Sequence, residues 1–218
     1  RRGAIEWIRH ENKPISVTTK NLQNYLGTPP FRKQIPLRGV GIVTGLAWTA
    51  LGGATLDVEA SLVHRKSRGF QLTGQLGDVM RESAEIAYSF IAANLKRLKG
   101  DPQFFDDAFV HLHVPEGSTP KDGPSAGITM ATALLSLARN QRMSRPMAMT
   151  GELTLTGRVL AVGGVREKIV AARRAGLTEI ILPDAVRGEV DELPFYVTEG
   201  TEIHFVSRYY EVASLVFD

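Results

Sequence analysis

The stretch Pro120-Lys121-Asp122-Gly123-Pro124-Ser125-Ala126-Gly127 sets one serine on a stiff turn of glycine and proline, immediately before an apolar helical run. Further along, Lys168 falls inside the apolar stripe of a second helical pattern. A serine at a helix start beside a lysine kept from water is the minimum equipment for amide hydrolysis without histidine. Backbone N–H groups at a helix start are unpaired and lie at the positive end of the helix dipole. An oxyanion formed beside Ser125 would meet donors already in place, worth about 3–4 kcal/mol for one good donor. Gly123 and Gly127 let a substrate backbone approach, and Pro124 stiffens the turn. Two other readings stand beside this one. Serine is a favoured helix cap, although position 128 is Ile, so the capping-box partner is missing. A glycine-rich turn before a helix also holds phosphate, but the chain has neither Gly-x-x-x-x-Gly-Lys-Ser/Thr nor a strand-turn Gly-x-Gly-x-x-Gly.

On a helix starting at Val165, the apolar positions are Val165, Ile169, Ala171, Ala172 and Ala175, with Arg166, Glu167, Arg173 and Arg174 opposite. Lys168 falls among the alanines. A lysine there either snorkels its amine to water, pairs with a buried carboxylate, or loses its proton easily. Desolvation and the helix dipole both disfavour the ammonium. A shift from about 10.4 to near 7 would make it a base at working pH, at a cost of about 4–5 kcal/mol. Thr150, in Met149-Thr150-Gly151-Glu152, ends a strand and could hold the neutral amine in one rotamer; the plainer reading is an edge threonine. Asp122 either orients the Ser125 turn or caps it. His111 and His113 share one strand face opposite Val110, Leu112 and Val114. They raise a Ser-His-Asp triad as a competitor, but no third ligand at a sensible spacing supports a metal site. Glu59 and Trp48 read as structural.

The elements that must position these residues alternate in the second half of the chain. Before it, Gly41–Thr49 and Ala54–Val63 read as strands around a turn at Gly52-Gly53, and Phe70–Leu76 as a third. The basic run His64-Arg65-Lys66-Ser67-Arg68 reads as a solvated hairpin tip rather than a nucleic-acid surface. A helix over Asp78–Leu98 is predicted with Val79, Ser83, Ile86, Phe90, Ala93 and Arg97 on one face, ended by Gly100-Asp101-Pro102. Phe109–Val114 alternates as a strand, and Ile128–Arg139 is apolar almost all round, as in a buried helix. Met147–Leu153 and Arg158–Val162 read as strands joined near Thr156-Gly157. Then follow a helix over Val165–Ala175 stopped by Gly176, a strand over Glu179–Leu182, a strand over Ile203–Val206 and a helix over Tyr209–Val216. The pattern predicts a mixed β-sheet with packed helices, an α/β or α+β fold.

At 218 residues, with 43% hydrophobic and 22% charged, the composition is that of one large globular domain or one plus an appendage. The absence of cysteine removes a thiol nucleophile, disulfides and thiolate metal sites, and fits a reducing compartment. No apolar run is long enough to span a bilayer. Residues 1–33 lack a core of their own: Thr19 would cap a short helix over Lys20–Leu26, with Gly27 as its stop and Pro29-Pro30 beyond. Opening on Arg1-Arg2 rather than Met, the chain reads as a fragment of something longer.

From about Gly39 to Asp218 the chain resembles the proteolytic domain of Lon, the ATP-dependent serine protease. The likeness runs through His111-Leu112-His113-Val114-Pro115-Glu116-Gly117, the block Thr119 to Gly127, Met149-Thr150-Gly151-Glu152, and Gly163-Gly164-Val165-Arg166-Glu167-Lys168. Gly45-Leu46-Ala47-Trp48-Thr49 looks more like the mitochondrial-type members. The resemblance implies Ser125 as nucleophile and Lys168 as general base. Thr150 and Asp122 follow as supporting residues, with His113, Gly123 and Ala126 as further members of the site. It implies a six-membered ring fused to an upstream ATPase module, with residues 1–33 as the tail of that module and linker, and 34–218 as the protease domain. ATP and Mg2+ would serve that module; with no Walker A motif, this chain would hold no cofactor of its own, and no metal. Unfolded or damaged proteins would be the substrates, in the bacterial cytoplasm or the mitochondrial matrix. No membrane partner is implied; DNA stays open as a partner of the whole protein, without support in this chain. The alternative is a non-catalytic assembly domain of the same fold, which should lack the serine and lysine.

Overall fold

A computed structural model describes residues 5, 14–27, 37–50, 52–115 and 121–218. The chain forms two compact units, Arg1–Gln34 and Ile35–Asp218. In the first, the short helix α1 (Leu22–Leu26) ends at Gly27 with φ 83° and buries none of its residues. Asn21, not Thr19, flanks its start. The Asn21 carboxamide closes the preceding turn instead, accepting from the Thr18 N–H at 2.7 Å and donating to the Ser16 carbonyl at 2.8 Å.

The second unit is built on a seven-stranded mixed sheet in the order β3-β4-β2-β1-β5-β8-β9. β1 (Ile42–Thr49) and β2 (Gly52–Arg65) pair antiparallel, with Thr49 opposite Gly52 and Trp48 opposite Gly53. Gly52-Gly53 is therefore strand, not turn. The glycine at 53 serves close approach: a Cβ there would lie 1.9 Å from the Glu167 carbonyl oxygen, so only a glycine lets the later helix rest on the strand. β3 (Gly69–Thr73) pairs with β4 (Ala108–His113), in parallel, and β4 lies between β3 and β2. The basic run at 64–68 is thus a crossing between non-adjacent strands rather than a hairpin tip. Arg65 there pairs with Asp107 at 3.0 Å and stacks over Phe104.

Helices cover both faces of the sheet. On one, α2 (Asp78–Asn94), α4 (Gly127–Arg139) and α8 (Tyr209–Phe217) share a core with Val43, Val58, Val110, Leu112, Met147 and Met149. α4 is buried nearly throughout, as its composition predicts. The inward arc of α2 is rotated only in part from the expected one: Ser83 and Phe90 are buried as expected, together with Met80, Ala84, Ala87, Tyr88 and Ile91, while Val79 is 45% exposed. Packing along α4 decides that arc, and α2 stops at Asn94, so Arg97 leaves the helix and stacks over Tyr210. α3 (Phe104–Asp107) is a single turn leading into β4. On the other face, α5 (Val165–Arg174) covers Leu46, Ala148, Ile180 and Leu182.

The predicted strand over Met147–Leu153 is broken in two. β5 (Met147–Met149) lies in the large sheet between β1 and β8 (Glu179–Pro183), parallel to both. β6 (Glu152–Leu153) leaves it to pair with β7 (Val159–Leu160). After β8 come a 3-10 turn (Asp184–Val186) and two short helices, α6 (Arg187–Asp191) and α7 (Phe195–Thr198), before β9 (Glu202–Val206). Helices this short show no periodicity to read in a sequence.

Candidate active site

The break between β5 and β6 receives the Ser125 turn. The Thr150 N–H donates to the Ile181 carbonyl at 3.1 Å, completing the sheet, while the next N–H, of Gly151, donates to the Ser125 carbonyl at 2.8 Å. Ile128 N–H returns a bond to the Gly151 carbonyl at 3.1 Å. The residue flanking α4 is Ala126, and no side chain caps the helix. Ser125 therefore stands one residue outside the capping position. Among the described residues its hydroxyl makes no hydrogen bond, and no histidine bonds it. Gly123, at φ 108°, holds the turn in a conformation that favours glycine.

Two N–H groups of the first turn of α4 are already used: Gly127 bonds the Pro124 carbonyl at 3.1 Å and Ile128 bonds Gly151. Among the described residues the Ser125 and Ala126 N–H groups make no hydrogen bond. The bonds made by Gly127 and Ile128 remove much of what a phosphate would need at this helix start.

Lys168 is 2% exposed and lies with Val165, Ile169, Ala171 and Ala172 on the buried face of α5. Gly164, at φ 67°, opens the helix beneath the Trp48 ring; a Cβ there would stand 2.7 Å from the indole. Trp48 itself is 63% exposed. The Lys168 Nζ donates to Thr150 Oγ1 at 3.0 Å, and Thr150 Oγ1 donates to the Ser125 carbonyl at 3.0 Å. Thr150 is fully buried. Burial lowers the Lys168 pKa from 10.5 to about 8, against the pull of the Glu189 carboxylate on α6, which raises it. The sequence reading, near 7, lacked that carboxylate, because α6 was not legible.

Asp122 reaches away from this chain of bonds. Its Oδ1 accepts from the Gly123 N–H at 2.8 Å and from the Met80 N–H, at the start of α2, at 2.9 Å. His111 Nε2 and His113 Nδ1 both meet the Thr73 hydroxyl, at 2.8 and 2.6 Å, their rings 6.2 Å apart. Glu59 lies opposite His113 in the sheet register. Elsewhere, Glu179, Glu202 and His204 bring three candidate ligand groups together at β8 and β9, but Arg145 holds Glu179 at 2.6 Å. So the turn, Thr150 and Lys168 are joined by hydrogen bonds, and the two histidines form a separate group. Sequence reasoning missed Gly151 and Ile128, whose backbone groups do the joining.

Residues 16–218 match the model of the Lon protease (S16) C-terminal proteolytic domain. The whole chain aligns with Lon protease 2 of Hydrogenovibrio crunogenus at 58% identity, covering 25% of that protein. It aligns with the Lon protease of Magnetococcus marinus at 58%, covering 27%. The mitochondrial Lon protease homolog of Rattus norvegicus is 47% identical over the whole chain, which covers 24% of it. The chain thus spans about a quarter of the length of these relatives. With a mixed sheet flanked by helices, a serine turn wired to a buried lysine, and a family match over nearly its whole length, the chain belongs to the Lon protease (S16) C-terminal proteolytic domain family, a family of serine peptidases.

Proposed function

We propose that Ser125 and Lys168 form the catalytic dyad with which this chain hydrolyses peptide bonds. Ser125 Oγ attacks the scissile carbonyl, Lys168 Nζ takes its proton and later gives it to the leaving amine, and the Ser125 and Ala126 N–H groups face the oxyanion. The observation that carries this reading is a buried lysine whose rotamer is held by a hydroxyl that is itself bonded to the Ser125 carbonyl. Thr150 is a positioning residue. The alternative, a non-catalytic assembly domain, would keep the fold without a use for a serine and a desolvated lysine.

The proposal extends to an upstream ATPase module, using ATP and Mg2+, that unfolds damaged proteins for a six-membered ring; the relatives, of which this chain covers about a quarter, are long enough to hold such a module. Residues 1–33 belong to its tail and linker, and 34–218 form the protease domain. Relatives are bacterial and mitochondrial, and the reading keeps the bacterial cytoplasm first and the mitochondrial matrix second. Among the described residues no helix is long and apolar enough to cross a membrane.

The test is labelling with a serine-directed covalent inhibitor, mapped by mass spectrometry, beside peptide turnover by Ser125→Ala. Label on Ser125 alone and loss of turnover are expected. An adduct elsewhere, or turnover by the alanine variant, would overturn the assignment.

A further inference from the structure

Gly77, which flanks α2, and two inward positions of the helix, Met80 and Ser83, meet the serine turn. The Gly77 N–H donates to the Lys121 carbonyl at 2.7 Å. The Met80 N–H donates to Asp122 Oδ1 at 2.9 Å. The Ser83 Oγ donates to the Pro124 carbonyl at 3.4 Å. Positions 77, 80 and 83 are spaced by three, so they lie on one side of the helix and meet Lys121, Asp122 and Pro124 in turn. The Lys121 N–H donates to the Gln75 carbonyl at 3.1 Å, so the segment before α2 holds Lys121 by a parallel bridge at Leu76.

Gly77 flanks the start of α2, and no side chain of its own neighbourhood caps the helix. The cap comes from Asp122, which satisfies one of the first-turn N–H groups from another part of the chain. The Asp122 carboxyl lies where a side chain at 77 would be: a Cβ there would stand 2.4 Å from Cγ and 2.6 Å from Oδ2. Gly77 has φ −69° and ψ 173°, which any residue adopts. Its lack of a side chain is therefore not explained by backbone conformation. It is explained by the carboxyl that occupies the space.

We infer that the Gly77–Met80–Ser83 side of α2 is the seat that sets the position of the nucleophile turn. Gly77 is a positioning residue for the reaction, acting through the carboxylate of Asp122. This rests on the reading of Ser125 as nucleophile. The seat fixes the turn from one side, and the Gly151 N–H fixes it from the other. Neither Gly77 nor Ser83 belongs to the bond chain of Lys168, so their effect falls on where Ser125 stands, not on the base.

The experiment is a set of variants of this chain, read by kcat and KM on a short unstructured peptide and by the rate of covalent labelling of Ser125. Gly77→Ala is expected to lower kcat and the labelling rate about 10²-fold, the scale of an ångström-sized misplacement, with KM little changed. Asp122→Ala should do the same, and Asp122→Asn, which keeps a carbonyl acceptor for Met80, should recover most of the loss. The double variant Gly77→Ala/Asp122→Ala should be no worse than Asp122→Ala alone, because the clash needs the carboxyl. Melting temperature separates a shifted turn from an unfolded one: the loss of kcat should persist at temperatures where each variant stays folded. Wild-type kcat in Gly77→Ala, or fully additive losses in the double variant, would overturn the inference while Ser125→Ala remained inactive. Turnover by Ser125→Ala would instead sink the reading on which it rests.

Discussion

Thr150 has one hydroxyl proton, and it goes to the Ser125 carbonyl. Lys168 must then be the donor in the bond between them, which fixes the amine and leaves a neutral lysine its lone pair, as the proposed dyad requires. Thr150→Val is expected to lower kcat by about 10²-fold, whereas Thr150→Ser should keep most activity; equal effects in peptide assays would show that the hydroxyl is not what matters. The lysine also dictates the response to pH. Its folded pKa, about 8, lies below the unfolded value of 10.5, so between the two the unfolded chain binds more protons. Stability from this group rises as pH rises through that window, and its full cost, about 3 kcal/mol, is present below pH 8. Lys168→Met should therefore abolish turnover and raise stability in neutral solution, as read by urea denaturation. Lys168→Arg should be inactive as well, since a guanidinium keeps its proton. Activity of the parent should fall as pH drops through about 8. A pH–rate profile flat across that value, or a methionine variant with near-normal turnover, would point to another base.

At the scale of elements, α5 must sit close against the sheet for Lys168 to reach Thr150. Gly53→Ala would drive a Cβ into the Glu167 carbonyl, backbone against backbone, so strand or helix must shift. A loss of about 1–3 kcal/mol by chemical denaturation is expected, together with a fall in kcat; a variant as stable and active as the parent would show that this contact does not hold α5. Which elements were legible follows the same physics. The buried stripe of α5 and the all-apolar α4 state their period in the sequence, so Lys168 and the helix after Ser125 were placed directly. Thr150 was legible as a strand end. The break after it was not, because the N–H groups of Thr150 and Gly151 turn to Ile181 and Ser125, partners far along the chain. The phase of α2 was legible only in part for a similar reason: Ser83 and Phe90 face inward as expected, but the arc shared with Met80, Ala84, Ala87 and Ile91 is set by packing against α4, far along the chain. Asp122 was read as acting on its own turn, which it does through Gly123, but its bond to Met80 could not be seen from local spacing.

For the whole molecule, the proposed division between motor and protease makes a prediction about substrates. The chain alone is expected to cleave small unstructured peptides weakly without ATP and to leave folded proteins intact. Digests of one peptide and one stable globular protein, followed by gel and mass spectrometry, check this; robust loss of the globular protein would show that unfolding does not require a separate module. The parallel strands carry a further consequence, for the order in which the protein forms. β1 joins β5 through pairs such as Thr44 with Ala148, and Thr150 is tied to Ile181 on β8. Such non-local pairing is slow, because the intervening loop must close before any contact rewards it. During synthesis the serine is made before the lysine, and the strand that anchors Thr150 is made after both. If Ser125 and Lys168 form the proposed dyad, a nascent chain carries the serine without a positioned base until the sheet closes around β8 and Thr150 is tied to Ile181.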